Sequence, residues 1–98
     1  MKTYTQSLED LKELRESVRS KLYDLDHDVT LKRAHYMIFD MGDWIEKVPI
    51  KHISFDRSYG DFVFYTDKGH YDYLFEYITN DSLLVLLEIL ENLKDYEV

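Results

Sequence analysis

Apolar residues recur every three or four positions from the start of the chain. Leu8, Leu11, Leu14, Val18, Leu22, Leu25 and Val29 share one side, while Lys12, Glu13, Glu16, Arg19 and Ser20 take the other. That period predicts an amphipathic helix over residues 7–25. Ser7, followed three residues later by Asp10, gives it a capping-box-like start, and Glu9 and Asp10 sit favourably in the first turn. Its far end is ambiguous: the helix either runs on toward Tyr36 or stops. Asp24, Asp26 and Asp28 would put three anions near a helix C-terminus, where the dipole disfavours them. A break near Asp26–Thr30 is the better reading. A short strand over residues 34–39 then follows, with a turn at Asp40-Met41-Gly42-Asp43 and a connector from Trp44 to Val48 that ends at Pro49.

From Ile50 the period shortens to two. In Lys51-His52-Ile53-Ser54-Phe55, Ile53 and Phe55 share a face. Residues 56–61 read as a turn. Phe62-Val63-Phe64-Tyr65 is apolar on both faces, as in a strand covered on both sides. Thr66-Asp67-Lys68-Gly69 reads as a hairpin turn. A last strand over residues 70–77 then places Tyr71, Tyr73, Phe75 and Tyr77 on one face and His70, Asp72, Leu74 and Glu76 on the other. A second helix starts at Thr79 or Asn80 and ends near Lys94. Its residues Leu83, Leu84, Val85, Leu86, Leu87, Ile89, Leu90 and Leu93 exceed one stripe, so part of it must meet the first helix or another copy of the chain. Leu84 and Ile89 are the candidate dimer contacts. The expected architecture is α+β over residues 1–98 as a single domain. It consists of an N-terminal amphipathic helix, a three- to four-stranded antiparallel meander and a C-terminal apolar helix packed on the sheet.

Composition alters this picture mainly by exclusion. Without cysteine the chain has no disulfides, thiolate metal sites or cysteine nucleophiles. The longest apolar run, Leu83 to Leu87, is far too short for a membrane span, and the first residues show no apolar signal core. A cytoplasmic protein is expected. Charge is unevenly spread: residues 1–55 carry ten acids and nine bases, whereas residues 56–98 carry ten acids against Arg57, Lys68 and Lys94. The net charge of −8 argues against direct contact with nucleic acid or anionic membranes. It suits a basic protein, or the positively charged groove in which such a protein holds nucleic acid. Six of the nine tyrosines lie in the acidic part.

Catalytic and metal-binding patterns are thin. Counting Asp24 as the first position of a calcium loop, the sixth is Val29 instead of glycine and the twelfth His35 instead of glutamate. The four histidines lack metal-ligand spacing. His52 facing His70 across the sheet, with Asp72 nearby, would be the one arrangement suited to acid–base work, although cross-strand polar pairs of this kind are ordinary. Three scattered glycines provide no phosphate loop, and no serine sits in a Gly-x-Ser-x-Gly elbow. No enzyme activity, cofactor or metal is expected. The stripe from Tyr71 to Tyr77 reads as core, whereas Met37, Met41, Trp44 and Tyr59 fall in turn-like stretches and read as surface anchors.

At the level of class alone, a short, acidic, tyrosine-rich chain without cysteine resembles immunity proteins and phage or mobile-element inhibitors, anti-CRISPR and anti-restriction proteins among them. The resemblance implies occupation of a basic groove and transfers no residue roles. The expectation is a non-catalytic inhibitor or neutraliser of a basic protein, with Asp56, Asp61, Asp67, Asp72 and Glu76 as contacts and Tyr59 and Tyr65 as aromatic anchors. The alternative is a structural or regulatory homodimer without enzymatic activity.

Overall fold

The computed structural model describes residues 8–67 and 72–98, with side chains from residue 11 onward. Ser7 and the Asp10 side chain of the expected capping box lie outside that set, as do Lys68 and Gly69 of the expected turn, His70 and Tyr71. The fold is α+β: an N-terminal helix, a four-stranded antiparallel meander and a C-terminal helix packed on it.

Helix α1 spans Leu8–Tyr23 and buries Val18 and Leu22 against the sheet. It stops two residues before the expected end. Asp24 N–H donates to the Ser20 carbonyl, and Leu25 N–H to that of Leu22, closing the last turn. The acidic stretch Asp24–Asp28 then leaves the helix, as the dipole requires. Val29 is therefore not the end of a helical stripe but the first residue of β1, Val29–Asp40. Arg19 does not join the solvated face of α1. It turns inward, with its guanidinium 4.4 Å from the Phe75 ring centroid.

Strands β1, β2 (Ile45–Asp56), β3 (Asp61–Thr66) and β4 (Asp72–Leu74) pair in sequence order. β1 and β2 are both longer than their sequence predicts. The stretch expected to be a connector, Trp44 to Val48, mostly belongs to β2, and Pro49 lies inside the strand opposite Tyr36. β3 reaches only as far as Ile50, which pairs with Thr66. At Pro49 the strand thus has a described neighbour on one side only, where a missing N–H does no harm. Irregularities between Thr30 and His35 on β1, and between Ile50 and His52 on β2, bend the pair. The turn at Asp40–Asp43 forms as expected. Gly42 has φ 95° and its N–H donates to Asp40 Oδ1, and Met41 N–H donates to the Trp44 carbonyl.

The last strand ends at Leu74, three residues before its alternation suggests. After Leu74 the chain enters a 3₁₀ turn, Phe75–Tyr77. The tighter period breaks the aromatic stripe: Tyr73 and Phe75 are buried, but Tyr77 is exposed. Arg15 of α1 holds the turn by donating to the carbonyls of Phe75 and Ile78 at 3.3 and 2.7 Å. Burial, followed by the neighbouring charge of Arg19, lowers the Arg15 pKa, while Asp61 opposes the shift.

Helix α2, Asn80–Glu91, starts after Thr79, whose carbonyl accepts from Leu83 N–H and whose side chain forms no capping bond, and is followed by the short α3, Leu93–Tyr96. One side of α2, Leu83, Leu86 and Ile89, joins Phe39, Phe64, Phe75, Leu31, Met37, Ile50 and Ile53 in the core. Met37 is fully buried and so is not a surface anchor. Its alternation with Phe39 belongs to a strand, not to a turn. The sheet curls until Phe39 stacks on Tyr73, with ring centroids 5.0 Å apart.

The outer edge of β1 is closed at two places. Phe39 bridges to Ile78, and Leu31 to Glu97. Thr79 N–H donates to the Ile38 carbonyl, and Ile38 N–H donates to Oγ of the buried Ser82. Val98 N–H donates to the Thr30 carbonyl. Among the described residues no helix is long and apolar enough to cross a membrane.

Candidate protein-binding surface

Helices α1 and α2 cover one face of the sheet, and the other face carries mostly exposed and half-buried residues, with Val63 of β3 fully buried on it. Cross-strand register sets what that face presents. Thr30 lies opposite His52, His52 opposite Tyr65, and Tyr65 opposite Asp72, which makes one row across all four strands. The Thr30 hydroxyl and His52 Nδ1 are hydrogen-bonded at 3.0 Å. Beside the row runs an open groove of about 500 Å³, lined by Asp28, Thr30, His52, Ile53, Ser54, Tyr65, Thr66 and Asp67. Asp28, Asp67 and Asp72 are exposed, and none of them forms an ion pair with a described residue. His70, the expected partner of His52, lies outside the described residues.

The remaining expected contacts are placed differently. Asp56 is occupied by the β2–β3 turn. Its carboxylate accepts from Ser58 N–H at 2.8 Å, and its carbonyl accepts from Tyr59 and Gly60. Asp61 is bound by Arg19 at 2.8 Å, with only 13% of its side chain exposed. It is a structural ion pair, not a free anion. Tyr59 is exposed at the tip of that turn. Glu76 is exposed on the 3₁₀ turn, in a depression shared with Arg15, Asp40, Tyr77 and Asn80. The structure therefore brings Tyr65, Asp67 and Asp72 together and separates them from Asp56, Tyr59, Asp61 and Glu76. Of the two dimer candidates, Leu84 is exposed but Ile89 is 1% exposed and belongs to the core. Ile89 is thus corrected from a surface contact to a packing residue, because it shares the inward side of α2 with Leu86.

Two constellations have no precursor in the sequence pattern. Glu46 faces the helices opposite Phe39, where Tyr73 Oη donates to Oε2 and Trp44 Nε1 to Oε1, both at 2.7 Å. These bonds, that from Tyr73 foremost, hold the Glu46 carboxyl below its ordinary range. The register that would have revealed them requires β2 to begin before Pro49. At the α1–β1 turn, His27 bridges Asp26 at 2.9 Å and Glu97 at 2.6 Å. Hydrogen bonding to Asp26 and then Glu97 raises its pKa, and hydrogen bonding to His27 lowers that of Asp26. Among the described residues no three His, Asp or Glu side chains converge as metal ligands. Comparison with known protein families, with curated proteins and with solved structures finds no match to this chain.

Proposed function

We propose that this protein is a non-catalytic binding module that neutralises or inhibits a basic, nucleic-acid-handling protein. A single observation carries the reading: Asp67 and Asp72 stand exposed beside Tyr65 and an open groove, with no described cation to neutralise them. Carboxylates in that position steer a cationic surface toward the sheet, and a phenol next to them supplies apolar contact and a hydrogen bond. The net charge of −8 adds to the attraction and disfavours direct binding to nucleic acid. No cofactor takes part. In immunity and anti-CRISPR proteins, which the chain resembles in composition, an acidic surface of this kind fills a basic groove.

The test is capture of partners from cells that produce the protein, followed by titration of the complex with salt. Binding is expected to weaken steeply as ionic strength rises past about 0.15 M. Asp67→Lys combined with Asp72→Lys is expected to lower affinity at least about tenfold. Partners indifferent both to salt and to that charge reversal would sink the proposal.

A further inference from the structure

We propose that the outer face of the β1–β2 hairpin is a self-association surface, through which two copies of this chain pack hairpin on hairpin about a two-fold axis. Its apolar strip, Tyr36 to Ile45, is separate from Asp67 and Asp72 and does not depend on them.

The register brings Tyr36 beside Pro49, Ile38 beside Lys47, and Asp40 beside Ile45, all on the face away from the helices. Ile45 is 66% and Tyr36 60% exposed. Ile38 and Pro49 are half-buried between them. Lys47 extends its ammonium to 5.4 Å from the Tyr36 ring centroid. The result is an apolar strip on a two-stranded ribbon, unlike the scattered single apolar residues of an ordinary surface.

Charge identifies the occupant. The turn end of the hairpin carries Asp40 and Asp43, and its middle carries Lys32 and Lys51, with Lys51 Nζ donating to the Lys32 carbonyl, ahead of Asp28 and Asp56 at the far end. A two-fold axis between the Ile38–Lys47 and Tyr36–Pro49 pairs reverses one hairpin over the other. Each acidic tip then meets the stretch of its mate that holds Lys32 and Lys51, as an interface built from one patch used twice requires. Helix α2 lacks this property. Its exposed Leu84 and Val85 are flanked by Asp81, Glu88 and Glu91, with no base in the helix. A two-fold axis there would set acid against acid, so like charges reject the helix as the contact.

A twelve-residue ribbon is about 40 Å long and about 10 Å wide, which covers roughly half the area of a standard interface on each copy. The expected dimer is therefore weak, forming at about 10–100 µM.

Sedimentation equilibrium from about 10 µM to about 1 mM tests the proposal across that range. The mass is expected to rise from 11.9 kDa toward twice that value. Ile45→Asp is expected to hold the protein monomeric, with its circular dichroism unchanged. Asp43→Lys or Lys51→Glu alone should weaken the dimer at least about fivefold, and the two together should restore it. The two side chains are about 20 Å apart along one hairpin, so restoration reports contact between copies. A mass of 11.9 kDa at every concentration overturns the proposal and leaves the face to a different protein. So does a dimer that survives Ile45→Asp and dissolves with Leu84→Asp, or a double variant that fails to recover.

Discussion

The two halves of the exposed sheet face differ in almost every respect. The β1–β2 half is built from two twelve-residue strands and carries Lys47, Lys51, Tyr36 and Ile45. The β3–β4 half has strands of six and three residues and presents Tyr65, Asp67 and Asp72. Along the chain the contrast resembles a simple gradient, neutral first and acidic after residue 55. In three dimensions that gradient is divided again. Asp61 from the acidic portion crosses to Arg19 of the first helix, and Asp56 is consumed by its own turn. Surplus charge in a sequence therefore overstates the charge a surface can offer. What matters is which acids have already found a donor.

The contrast is broken most severely at the point where the two hairpins share their core. Phe64 is fully buried and its ring lies 5.6 Å from Phe39 and 6.3 Å from Phe75. Phe64→Ala is expected to cost about 3–5 kcal/mol, read from urea unfolding. Loss of this size takes a large share of the stability of a domain of this length and should disorder both halves together. A smaller effect separates the spent acids from the free ones. Asp61→Asn should destabilise by about 1–2 kcal/mol, because it weakens a half-buried charge-assisted hydrogen bond. Asp67→Asn and Asp72→Asn should stay within about 0.5 kcal/mol in the same assay. Equal costs at all three positions would erase the distinction between the paired acid and the free ones.

The smallest effect depends on pH. The pKa of His27 is raised in the folded protein, so the clip it forms contributes fully below the unfolded histidine value. That contribution is lost as pH rises through the raised folded value. Asp26 has the opposite sign: its contribution is present above the unfolded aspartate value and lost as pH falls through its depressed one. The bond from Val98 N–H to the Thr30 carbonyl reports on the clip, since Glu97 is its neighbour. At about pH 5, hydrogen exchange at Val98 should be slower in the wild type than in His27→Gln, and at about pH 9 the difference should vanish. A difference that persists unchanged at the higher pH would detach His27 from this edge of the sheet.

Local pattern carried the helices and both described turns, because glycine positions and helical spacing are set within a few residues. Strand extents were hidden by tertiary pairing. Pro49 looks like a boundary until it is clear that β3 stops beside Ile50. Lys32 and Arg33 show no alternation, yet β1 runs through them, anchored near one end by Glu97 and near the other by Ile78. The candidate site was legible in its residue types, and Tyr65, Asp67 and Asp72 do share a neighbourhood. The pairing of Asp61 was not legible, because Arg19 lies 42 positions away. Nor could Leu84 be told from Ile89, since α2 is apolar around most of its circumference and only its packing against the sheet distinguishes outside from inside.

Closure of the β1 edge has a kinetic consequence. Both clasps come late in synthesis, Ile78 reaching back to Phe39 and Glu97 to Leu31. At about 5–20 residues per second, the ribosome delivers both clasps only several seconds after β1 and β2 have been made. During that interval the nascent chain displays bare N–H and C=O groups along β1, and an extended segment of another chain could pair with them. The bend between Thr30 and His35, with Lys32 and Arg33 within it, makes that stretch a poor template. An irregularity in the finished sheet thus also guards the chain while it is still being made.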